Sequence, residues 1–73
     1  MSSENILAKV RILLDHWIGH NQEHSQEFRE WADKVKALGG AGAGDDMVQA
    51  AQEMEKAGQS LSRALEKLGG RED

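Results

Sequence analysis

Between Ile6 and Leu38 the chain sets apolar and ring-bearing residues at steps of three and four: Ile6, Val10, Leu13, Trp17, His20, His24, Phe28, Trp31, Val35 and Leu38. That spacing predicts one stripe of an amphipathic helix about ten turns long. Ser2 or Ser3 supplies the N-terminal cap and Gly39 a C-terminal residue free to turn left-handed, so the first helix is expected over about residues 3–38. The run GGAGAG, residues 39–44, reads as a flexible connector. Behind it Asp45 or Asp46 is the expected N-cap, and Met47, Ala50 or Ala51, Met54, Ala57, Leu61, Leu65 and Leu68 repeat the same spacing until Gly69 and Gly70 end it. A second helix over about 46–68 follows. No alternating strand pattern occurs, so the expected fold is all-α, one helical-hairpin domain over residues 1–73.

A six-residue connector between two such helices implies an antiparallel hairpin. Pairing the stripes outward from the loop sets Leu38 beside Met47, Trp31 beside Met54, Phe28 beside Ala57 and His24 opposite Leu61. Trp17 then reaches Leu68, where the second helix stops. Ile6, Leu7, Val10, Leu13 and Leu14 are left without cover from their own chain. Each fully buried aliphatic side chain is worth roughly 1.5 to 3 kcal/mol, so this overhang favours self-association. The expected assembly is a homodimer in which two hairpins close into a four-helix bundle.

Composition narrows the classes. A 73-residue chain makes one domain with a small core. The absence of cysteine removes disulfides, thiolate metal sites and cysteine nucleophiles. A net charge of −4, with no basic stripe, gives phosphate backbones nothing to attract, and nucleic acid is not an expected partner. No apolar run reaches the roughly 18 residues of a membrane span, and MSSENILAKV lacks a basic leader followed by an apolar core. A soluble, cytoplasmic protein without a membrane partner is the expectation.

The three histidines of the chain, His16, His20 and His24, stand four residues apart. His20 and His24 fall inside the apolar stripe, His16 at its edge, and two imidazoles in a core must find hydrogen-bond partners or bear a desolvation cost. A divalent transition metal would offset that cost. Imidazoles at i and i+4 project about 6 Å apart, close enough to share an ion, whereas His16 and His24 are too far apart for one ion to hold both. Zinc, nickel, cobalt and copper all accept such ligands. Glu23 and Glu27, each three residues beyond a histidine, or a second protomer would complete the shell. The competing reading is metal-free: a dimerisation or adaptor module whose histidines are hydrogen-bonded to Glu23, Glu27, Asn21, Ser60 or a partner chain, or respond to pH.

The pattern HWxxHNxxHxxxFxxWAxK, carried here by His16, Trp17, His20, Asn21, His24, Phe28, Trp31, Ala32 and Lys34, resembles a segment of small prokaryotic helical domains of uncharacterised function. Some of these are associated with nickel or cobalt handling. The resemblance covers the first helix and implies that the histidines are ligands, without catalysis, and allows a metal-handling protein as a further partner. Gly19, where a better helix former would serve, is a departure from what a plain helix asks. Nothing else in the chain suggests an enzyme. Ser60 and Ser62 lack a histidine–aspartate relay, and GGAGAG lacks the lysine and hydroxyl of a phosphate loop. No catalytic residue and no organic cofactor are expected. The function expected is binding of a divalent transition metal for storage, carriage or sensing.

Overall fold

The structure, a computed structural model, describes residues 2–70; Met1 and residues 71–73 of the expected domain lie outside them. Two helices, α1 (Ser3–Ala37) and α2 (Ala41–Lys67), pack as an antiparallel hairpin. The Ser2 hydroxyl accepts from the Asn5 amide at 3.3 Å and caps α1. Each helix ends in the same way. Gly39 turns left-handed at φ +90, and the Gly39 and Gly40 amides donate to the Lys36 and Val35 carbonyls at 3.0 and 2.9 Å. Gly69 and Gly70 repeat this on Glu66 and Leu65 at 3.1 and 2.9 Å. These paired bonds satisfy carbonyls that a helix end leaves open.

The second helix begins five residues before the position expected from Asp46. Gly40 is its N-cap, without a side-chain bond, and Asp45 and Asp46 lie inside the helix. The connector is Leu38–Gly40 alone, because the GGAGAG run is mostly helix. Steric room explains those glycines better than flexibility. A Cβ on Gly44 would stand 2.4 Å from Lys36 Cγ and 3.1 Å from the Ala32 carbonyl oxygen, and one on Gly40 would stand 2.7 Å from Val35 Cγ1. Glycine lets the first turn of α2 lie against α1, where Ala32 and Ala51 are fully buried.

The shorter loop shifts the register. The Arg11 guanidinium donates to the Leu68 carbonyl at 2.8 Å, so Leu68 stands level with Arg11 and not with Trp17. Arg29 meets Glu55 at 2.8 Å and Lys36 meets Asp45 at 2.9 Å along the same pairing. Hydrogen bonding to Arg29 holds the Glu55 carboxyl below its usual range, and the same bond raises the guanidinium. The overhang is correspondingly smaller than the sequence suggests. Leu14 is buried in the core with Ile18 and Leu65, Val10 packs against them, and Leu13 is half-buried; only Ile6 and Leu7 of the five remain exposed.

The buried face of α1 also differs from the expected stripe. Leu14, Ile18, Ser25 and Ala32 face inward, and Trp17 and Trp31 stay 44% and 56% exposed. The inward face lies roughly a quarter turn from the aromatic stripe. It carries small residues, which let the helices approach, and the Ser25 hydroxyl satisfies itself on the Gln22 carbonyl at 3.1 Å. The hairpin is a slab of 54 × 21 × 14 Å. Among the described residues no helix is long and apolar enough to cross a membrane.

Candidate functional site

The middle of α1 carries the three histidines on successive turns, and the structure exposes all of them instead of placing His20 and His24 in the core. Their rings form a ladder. Ring centroids are 4.5 Å apart for His16 and His20 and 5.7 Å for His20 and His24, and Phe28 follows 6.2 Å beyond His24. The desolvation cost anticipated for buried imidazoles is therefore absent from the single hairpin. The ring spacing itself is informative. Two imidazoles held at about 2.0–2.1 Å by one ion have centroids about 4.5 to 5.2 Å apart for bond angles between square and tetrahedral. His16 and His20 stand at that separation, and His20 and His24 lie beyond it.

The helix does not bring a third ligand to either pair. Glu23 and Glu27 are exposed and lie about 60° round the helix from His20 and His24. Among the described residues no group of three histidine or carboxylate ligands is assembled. One hairpin thus offers adjacent imidazoles, two at a time, open to water or to a second molecule.

The surroundings of the ladder are apolar. Trp17 lies between His16 and His20 in sequence and Trp31 beyond Phe28, with the Lys34 ammonium 4.2 Å from the Trp31 ring centroid. On α2, Met47, Ala50, Met54, Ala57, Leu61 and Leu68 occupy a strip centred about a quarter turn from that helix's own inward residues Gly44, Ala51 and Leu65, with Leu61 and Leu68 packed against the core at its inner edge. The two displacements have the same sense seen from each helix's N-terminus. Because the helices run antiparallel, both strips fall on one broad side of the slab.

The other broad side carries the Arg29–Glu55 pair and a feature that the sequence does not signal. An open groove of about 580 Å³ runs between the helices, floored by Ile18, Gly58 and Met54, the last reaching it from the edge of the apolar strip, and rimmed by Gln22, Gln59, Ser62 and Arg63. Arg63 donates to Ser60 at 2.9 Å and Glu55 to one end of the groove is held by Arg29. The only hint in the sequence is that Asn21 and Ser25 interrupt the inward face of α1.

Comparison with curated proteins and with solved structures finds no match. A family model does match, over residues 10–68, and that span coincides with the paired part of the hairpin from Arg11 to Leu68. The sequence resemblance to an uncharacterised helical domain is borne out to that extent, and the match carries nothing about nickel or cobalt. With 10–68 of its 73 residues matched, the chain belongs to the family described as Domain of unknown function (DUF8180).

Proposed function

We propose that this chain is a non-enzymatic, self-associating helical module that binds a divalent transition metal through the histidine ladder of α1. The observation that carries the reading is the ladder itself: three exposed imidazoles in register, with His16 and His20 at the 4.5 Å centroid separation of a two-ring chelate and His20 and His24 wider, at 5.7 Å. His16, His20 and His24 supply nitrogens two at a time. Glu23 and Glu27, water or a second chain supply the rest of the shell. Nickel, cobalt, zinc and copper all fit the ligand type, and the chemistry is that of holding and releasing an ion. The nickel or cobalt association suggested by the HWxxHN pattern, a homodimeric four-helix bundle and a metal-handling partner belong to the same reading.

Titrating chelator-treated protein with each of the four metals by calorimetry, with His20→Ala as the control, tests it. Stoichiometric binding lost in His20→Ala is the expected result. Failure of every metal to bind tighter than about 10 µM overturns the reading. A metal-free dimerisation or adaptor module then stands, and one observation favours it in its own right: Trp17 and Trp31 remain half-exposed beside the ladder.

A further inference from the structure

Both helices put the centre of their outer apolar strips, exposed at Trp17, Trp31 and Ala57 and half-buried at Phe28, Met47, Met54, Leu61 and Leu68, at the same level of the hairpin. On α1 the strip is symmetric about His24. Trp17 and Trp31 lie seven residues either side of it, His20 and Phe28 four, Leu13 and Val35 eleven. On α2 the strip is symmetric about the Ala57–Gly58 pair, with Met54 and Leu61 equally distant from it, and Met47 and Leu68 likewise. The contacts of Arg11 with Leu68, Arg29 with Glu55 and Lys36 with Asp45 set His24 level with Ala57 and Gly58. Two independent patterns therefore share one centre.

A pattern symmetric about a point along a helix is what an antiparallel two-fold pairing requires, because each residue then meets its mirror position on the other copy. We infer that a second copy of this chain covers the aromatic side of the slab, α1 antiparallel to α1 and α2 to α2, and that His24 sits on the two-fold axis of an ion site shared between the copies. In this arrangement Trp17 packs on the partner's Trp31 and His20 on the partner's Phe28. Ala57, small and exposed, lets the two α2 helices approach closely. By the two-fold, His20 and His24 of both chains bring four nitrogens around the axis, where a single hairpin offers two at a time. The inference rests on the proposed metal reading for the ion, and on the apolar pattern alone for the bundle.

The surface supports a second copy as the occupant. A compact monomer of 8.0 kDa exposes about 4,450 Å² by surface scaling, whereas this chain exposes 5411 Å². The excess, roughly 950 Å² per chain, is close to the roughly 800 Å² that each partner of a stable complex buries. The radius of gyration, 16.2 Å, exceeds the about 11 Å of a compact chain of this length, as a half-bundle should. On the opposite side of the slab the charged pair Arg29–Glu55 and the groove rim of Gln22, Gln59 and Arg63 make a poorer match for a hydrophobic interface.

Three measurements on the full chain test this. Sedimentation is expected to show a dimer, and zinc or nickel titration one ion per two chains, with His24→Ala weakening binding by more than about tenfold. In this cysteine-free chain, Ala57→Cys is expected to oxidise to a covalent dimer while Gln59→Cys, on the groove side, does not. A monomer at high micromolar concentration, or equal cross-linking of the two variants, overturns the arrangement and leaves the aromatic side to a different protein. One ion per chain overturns the shared site and leaves the metal reading standing. A cross-linked dimer that binds no ion overturns the site and the metal reading together, and leaves the bundle.

Discussion

Glycine at position 44 gives a sharp test of how the two helices meet. Replacing a helical glycine by alanine removes backbone entropy from the unfolded chain and is worth up to about 1 kcal/mol. At Gly42, in the same first turn, and at Gly19, in the middle of α1, an added Cβ meets nothing within 4 Å. Gly42→Ala and Gly19→Ala should therefore raise the melting temperature, by about 4–8 °C for each kcal/mol gained in a domain of this size. At Gly44 the same methyl would stand 2.4 Å from Lys36 Cγ and 3.1 Å from the Ala32 carbonyl oxygen. Lys36 must swing away, loosening its 2.9 Å contact with Asp45, and the backbone of α1 must yield. Overpacking of this kind costs about 1–3 kcal/mol, which cancels or exceeds the propensity gain. Gly44→Ala should thus melt at or below the parent temperature and clearly below both controls. Circular dichroism melts of the three variants at one protein concentration decide it. Equal gains at positions 42, 44 and 19 would refute the close approach and restore the flexible connector that the GGAGAG run suggests.

Leu65 is 4% exposed and sits in the core with Leu14 and Ile18, so Leu65→Ala should cost about 2–5 kcal/mol in urea unfolding. Ile12, 65% exposed, should tolerate alanine to within about 0.5 kcal/mol. Arg29 lowers the Glu55 pKa, so the stability this pair adds is present above the unfolded glutamate pKa and is lost as pH falls through the lowered folded value. Melting temperature against pH should accordingly fall less steeply on acidification in Glu55→Gln than in the parent, and parallel curves would remove the pair from the acid response. Deleting residues 1–9 should leave helicity and melting of the hairpin nearly unchanged, since every buried side chain lies beyond them; a collapse of the melt would show that Ile6 and Leu7 are covered in solution.

The periodicity of the chain makes both helices and their glycine stops legible, since Gly39 and Gly69 close the helices as their positions suggest. It does not reveal which side of α1 is buried. Two stripes run along that helix a quarter turn apart, and a hydrophobicity pattern ranks the one bearing Trp17, Phe28 and Trp31 above the one bearing Ser25 and Ala32. The hairpin buries the second, because the distance between two helix axes depends on the smallest residues at the contact. Ala32, Gly44 and Ala51 let the backbones come together where indole rings would hold them apart. The early start of α2 has the same cause: glycines that read as a linker are the residues a close helix contact needs. The histidines follow from this choice. His20 and His24, assigned to the core by their spacing, become solvent-facing once the small-residue face is taken, and their cost in a single hairpin disappears. Their placement at the centre of a partly exposed aromatic side then becomes the feature in need of a cause, and the proposed burial against a second copy, with an ion to satisfy the imidazoles, would make both the symmetry about His24 and the excess exposed surface follow from one arrangement.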